Sequence, residues 1–165
     1  MNGIPDSMPV LGRGRHRSPA RGACFLEYTA LLAGEPFTDA PRCVDAELAR
    51  VLRHANDVLT SADRPRLLPL LGRAIGLAAA GPEAARVRRE VARRLVADVG
   101  AAPSPEERRW TATGSVDRLF WSLMLEPAPV STSAAWVARL LERLDLLHGA
   151  YEAALEVRVG TGPRG

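Results

Sequence analysis

From Ser133 to about Val157, the apolar residues Val137, Leu140, Leu141, Leu144, Leu147, Tyr151, Ala154 and Leu155 recur every three or four positions. A stripe with that period lies along one side of a helix, and it must be buried against other helical stripes. The same period returns upstream. Leu48, Val51, Leu52, Ala55 and Leu59 mark a helix over Asp45–Leu59, and Ala84, Val87, Val91, Leu95 and Val99 mark another over Glu83–Val99. Further helices are predicted over Ala23–Ala33, over roughly Arg64–Ala79 and over Ser115–Leu125. The last of these is apolar on several sides and so should be central. Pro69 should kink the third helix or delay its start. Ser104 with Glu107 forms a capping box for a short turn leading to Trp110. No run alternates in the β-strand manner and no Asn-Gly hairpin signal occurs. The fold class is therefore all-α, a compact bundle-like packing of about six helices.

Glycine and proline divide the chain. Residues 1–21 mix Gly, Pro, Ser and Arg without periodicity and read as a flexible basic leader. Residues 22–159 read as a single helical domain, and 160–165 as a disordered tail. The net charge of +3 belongs to the leader, where Arg13, Arg15, Arg17 and Arg21 face only Asp6. The other 18 of the 22 arginines are matched by the other 18 of the 19 acids. Every basic residue is Arg, with no Lys or Gln in the chain. A GC-rich genome explains that bias without invoking guanidinium chemistry. The Arg86, Arg89 and Arg93 stripe carries interleaved acids, so nucleic acid is disfavoured as a partner. The first 20 residues hold no continuous apolar run of signal-peptide length, and no 18 consecutive apolar residues occur. The expected address is cytoplasmic, with Cys24 and Cys43 as reduced thiols.

Chemistry concentrates in residues 22–57, where Cys24, Glu27, Glu35, Asp39, Cys43, His54, Asn56 and Asp57 form the candidate functional cluster. Cys24 and Glu27 stand three apart on one helix, as do His54 and Asp57. The two cysteines read first as small half-buried hydrophobes. A reversible thiol pair and a metal site with His54 and a carboxylate are the alternatives. The spacing of Cys24, Cys43 and His54 matches no standard zinc pattern. Glu27 interrupts an apolar helix, and a carboxylate there needs a partner. Arg21, Arg42 or Arg53 could supply it, locking the first helix onto the loop at 34–43. Asn56 and Asp57 should stitch that loop through side-chain-to-backbone bonds. His16 in the leader and His148 beside the last stripe have no evident partner. Trp110, Trp121 and Trp136 read as packing residues, with a partner-binding anchor as the alternative.

His16-Arg17-Ser18-Pro19 leads into Gly22, Ala23, Cys24 and Glu27; Ala33, Gly34, Glu35, Phe37, Thr38, Asp39, Pro41 and Cys43 follow, and Asn56-Asp57 ends the next helix. This pattern resembles a group of functionally uncharacterised, mostly actinobacterial proteins. Many of those carry Trp-Ser at the Phe37-Thr38 position and often His in place of Ala40. The absence of that histidine removes a possible ligand or base beside Cys43.

Two functional classes follow. The first is a non-enzymatic helical interaction or regulatory module, taking a protein partner or a second copy of itself and needing no cofactor. The second is a small thiol-redox or metal-binding protein using Cys24 and Cys43 with nearby carboxylates. The want of a catalytic constellation favours the first.

Overall fold

The computed structural model describes residues 9–100, 102–124 and 133–159, with the side chains of the last segment described from 134 to 156. Among them the regular elements are α1 (Phe25–Leu32), α2 (Ala46–Val58), α3 (Leu68–Ala74), α4 (Pro82–Val99), α5 (Pro105–Thr113), α6 (Val116–Met124) and α7 (Ser133–Val159). Short 3-10 turns occupy Pro19–Arg21 and Arg64–Leu67. The all-α expectation holds, with seven helices rather than about six. The added one is α5. Pro105 at its start and the Ser104–Glu107 capping box nucleate nine residues, where the sequence suggests only a short turn. The helix expected over 64–79 is a 3-10 turn followed by α3, which begins at Leu68 with Pro69 in its first turn. The break expected at 126–131 and the tail at 160–165 lie outside the described residues, as does the leader up to residue 8. No helix among the described residues is long and apolar enough to cross a membrane.

Where the sequence reads as one domain, contacts cluster into two compact units, Met1–Ala78 and Ala79–Gly165. In the first, α1 is the central element. Phe25, Leu26, Tyr28 and Ala30 are all buried, so the helix has almost no solvent face. It packs against α2 and α3. Leu48, Val51, Leu52 and Ala55 supply the buried face of α2, as their spacing predicts. The C-terminal end of α2 is closed by Arg64, which the sequence does not single out. Its Nε donates to the Asn56 carbonyl at 2.7 Å and its Nη2 to the Leu59 carbonyl at 2.7 Å. A helix leaves its last carbonyls without partners, and a buried guanidinium satisfies two of them here.

In the second unit α4 contacts α5, α6 and α7. Val87, Val91, Ala92 and Leu95 are its buried residues; Leu140, Leu144, Leu147 and Tyr151 are fully buried on α7. His148, one position off the predicted stripe, is also buried, with Nδ1 2.7 Å from the Leu144 carbonyl. Gly114 makes the α5–α6 corner possible. Its φ is +72°, and a Cβ placed there would lie 2.9 Å from the Arg88 Cβ and 3.1 Å from the Arg89 backbone nitrogen. Gly114→Ala therefore meets both a left-handed backbone and a wall on α4. The expected loss is about 2 kcal/mol of stability, measured by urea unfolding. A variant as stable as the parent would show that the corner can rotate away from α4.

Candidate functional site

The residues that carry the site begin before α1. Residues 9–22, of which 9–21 are expected from composition to belong to a flexible leader, form a strap folded onto α1 and α2. Leu11 is buried and pairs with Ala23 in an isolated parallel bridge. The Gly12 amide donates to the Ala23 carbonyl at 2.9 Å, and the Ala23 amide to the Val10 carbonyl at 3.1 Å. Composition misleads here because two buried side chains elsewhere, Glu27 and Asn56, satisfy the strap's polar groups.

Glu27 is 1% exposed. Its Oε1 accepts from the His16 amide at 2.7 Å; its Oε2 accepts from the Cys24 amide at 2.8 Å and faces His16 Nδ1 at 2.9 Å. The expected arginine partner is thus a histidine. Arg21 and Arg42 are exposed, while Arg53 Nη1 donates to the Asp39 carbonyl at 2.8 Å. A chain reversal brings His16 to Glu27, and no helical periodicity could have linked them. The sequence trace is the glycines around the ring. A Cβ at Gly12 would lie 2.8 Å from His16 Nε2; one at Gly22, where φ is +111°, would lie 3.4 Å from the ring.

The Cys24–Glu27 spacing also acquires a local meaning. Cys24 is the N-cap of α1: its Sγ accepts from the Glu27 amide at 3.4 Å, while the Glu27 carboxylate accepts from the Cys24 amide. This is a capping box with a thiol in the place of the usual hydroxyl. Asn56, fully buried on α2, accepts from the Phe25 amide at 3.1 Å and donates to the Gly12 carbonyl at 2.9 Å. Asp57 Oδ1 accepts from the Gly14 amide at 2.9 Å and from Asn56 Nδ2 at 3.1 Å. The pair stitches the strap and the start of α1, rather than the loop at 34–43. That loop is closed by Glu35, which accepts from the Arg42 amide at 3.0 Å and the Cys43 amide at 3.3 Å. Asp39 contributes its carbonyl to the Arg53 bond. His54 is exposed on α2.

Both cysteines are free thiols. Burial pushes the Cys24 thiol from its ordinary 9.0 up to about 11, with the Glu27 charge adding to the shift. Burial also raises Cys43 to about 11, helped by its hydrogen bond to Glu35. The same bond holds Glu35 below the ordinary carboxylate range. At pH 8 a thiol of this kind is about one part in a thousand thiolate, so both should label far more slowly with a disulfide reagent than an unfolded control. Labelling at the unfolded rate would reverse the assignment. Alkaline stability follows the same shift. The folded chain keeps protons that the unfolded chain releases above 9.0, so stability is full below that pH and falls as pH rises towards about 11. For Cys24 the loss is on the order of 2–3 kcal/mol. Cys24→Ser, which keeps a capping oxygen, should flatten that decline in a pH series of unfolding curves. Among the described residues no three His, Cys, Asp or Glu side chains converge to hold a metal ion.

Beside the His16–Glu27 contact lies a pocket of about 410 Å³ lined by Arg15, His16, Arg17, Glu27, Phe37 and Thr38. Glu27 is committed to its three donors. Arg15 and Arg17 are exposed and make no ion pair among the described residues. The pocket's lining therefore combines two exposed cationic side chains with an aromatic ring and a hydroxyl. Of the predicted cluster only Glu27 reaches it; Arg15, His16, Arg17, Phe37 and Thr38 were outside that cluster. Compared with known proteins, the chain matches no family model, no curated protein and no solved structure.

Proposed function

We propose that this chain is a non-enzymatic recognition module whose pocket at Arg15, Arg17, Phe37 and Thr38 takes an anionic group presented by a protein partner. The observation that carries the reading is the state of the charges in the pocket. Its carboxylate, Glu27, is buried and saturated with hydrogen bonds, whereas its two guanidiniums are exposed and available. A guanidinium presents a planar fork of donors that suits carboxylate or phosphate oxygens. Because His16, between the two arginines, is tied to Glu27 through both its amide and its ring, the strap is mounted before any ligand arrives. Preorganisation of that kind lowers the entropy lost on binding.

The thiol alternative has less support: each sulfur has a structural partner, and burial disfavours the reactive thiolate at both. Free thiols fit a reducing compartment, and the proposal places the module in the cytoplasm. Its kinship with the actinobacterial proteins that share the Cys24–Glu27 and Glu35–Cys43 patterns belongs to the same proposal.

The test is calorimetric binding of an oligoglutamate peptide to the full chain. The expected result is salt-sensitive binding that weakens at least ten-fold in the Arg15→Ala/Arg17→Ala variant and is unchanged in Arg21→Ala. Absence of binding, or binding indifferent to Arg15 and Arg17, would overturn the reading.

A further inference from the structure

The geometry points to a narrower ligand class for this pocket: a phosphate monoester carried on an aromatic ring. The inference rests on the recognition reading above and specifies what the partner or ligand must carry. Arg15 and Arg17 stand on either side of His16, and both line the one pocket. A carboxylate carries a single negative charge and occupies one guanidinium fork. A phosphate monoester carries between one and a half and two charges near pH 7, with three oxygens to share, roughly as for a phosphorylated side chain. It matches two guanidiniums where a carboxylate leaves one idle.

Thr38 and Phe37 add a donor and a ring to the same lining. Thr38 Oγ1 accepts from the Ala40 amide at 3.2 Å, which leaves its own hydroxyl hydrogen for an anionic oxygen. Phe37 is half-buried and lines the same space. An ion alone would leave that ring facing water. The volume makes the same point. About 410 Å³ falls within the volume range of small-ligand pockets. A bare phosphate would leave most of it filled with solvent. An aromatic group attached to the phosphate covers Phe37 by offset or edge-to-face packing. The buried carboxylate of Glu27 does not veto an anion, because three donors already oppose its charge.

A phosphotyrosine side chain carries this chemistry directly, and a nucleotide offers the same two groups, a phosphate monoester and an aromatic base, joined through a sugar. Phenyl phosphate represents what they share. Calorimetry on the full chain should find phenyl phosphate bound at least ten-fold more tightly than either inorganic phosphate or benzoate. Arg15→Ala and Arg17→Ala should each weaken it by about ten-fold or more, the scale of a lost charge-assisted hydrogen bond. Arg21→Ala, on the same strap but outside the pocket lining, should leave it unchanged. Phe37→Ala should bring phenyl phosphate down to the affinity of inorganic phosphate, while Phe37→Leu, which keeps bulk but not the ring, should fall between. AMP and phosphotyrosine run alongside assign the source of the ring to whichever binds more tightly. Benzoate binding as well as phenyl phosphate would overturn the phosphate assignment, and inorganic phosphate binding as well would overturn the aromatic one. If oligoglutamate binds through Arg15 and Arg17 while phenyl phosphate does not, the inference falls and the recognition reading stands. If neither binds, both fall.

Discussion

Glu27→Ala should destabilise the first unit by about 4 kcal/mol, the largest single-residue effect expected outside the apolar core. The truncation removes the acceptor for the His16 amide, the His16 ring and the Cys24 amide together. The Cys24 amide is buried at the start of α1, and leaving such a donor without a partner costs about 1–3 kcal/mol by itself. The two His16 bonds hold the strap, so their loss also frees Leu11 from its buried position. Glu27→Gln keeps one carbonyl oxygen but turns an NH2 group towards a donor, and should lose about half as much. Urea unfolding measures the total. Limited trypsin digestion locates it, because Arg13, Arg15, Arg17 and Arg21 all lie on the strap. Cleavage there should accelerate in Glu27→Ala well before the rest of the chain is cut. A variant with parental stability and a protected strap would show that Glu27 is not its fastening.

The second large effect is at Asn56, for which a loss of about 3 kcal/mol is expected on replacement by leucine. Leucine fills a similar volume but leaves the Phe25 amide and the Gly12 carbonyl without their buried partner. Asn56→Asp separates the two halves of the contact. It keeps the acceptor for Phe25 but loses the donor to Gly12, and it sets a buried charge beside the Asp57 carboxylate. Its neutral form can donate, so the aspartate variant should regain stability as pH falls, whereas the leucine variant should not. Parallel acid titrations of the two variants provide the measurement. Identical pH profiles would mean that the Gly12 bond contributes little. Because Glu27 and Asn56 fasten the same strap, their combined loss should be smaller than the sum of the separate ones.

The local signals were legible from residue order alone. The stripes of α2, α4 and α7 follow from apolar spacing, since a helix repeats its faces every three or four residues. The Ser104–Glu107 box was readable for the same reason, although not the length of helix it would start. Glu27 was recognisable as anomalous because a carboxylate in an apolar helix demands a partner. What could not be read was the identity of that partner. His16 lies eleven positions upstream of Glu27, and Gly14 lies forty-three upstream of Asp57. Such pairs share no helix, so no periodicity connects them. Arg64 was missed for a similar reason: as one arginine among 22, it is distinguished only by its burial against the end of α2.

By itself, the order of residues determined that this chain is helical, where most helices lie, and that a carboxylate, Glu27, interrupts an otherwise apolar helix. These are consequences of short-range geometry, in which each residue's neighbours are its neighbours in sequence. The tertiary structure alone decided that the strap at 9–22 is part of the fold, that Glu27 is met by His16 rather than arginine, and that Arg15, Arg17, Phe37 and Thr38 share one pocket. Those outcomes depend on chain reversals that bring distant groups into a buried setting, where an unpaired polar atom is too costly to persist and the partner is whichever donor the fold delivers.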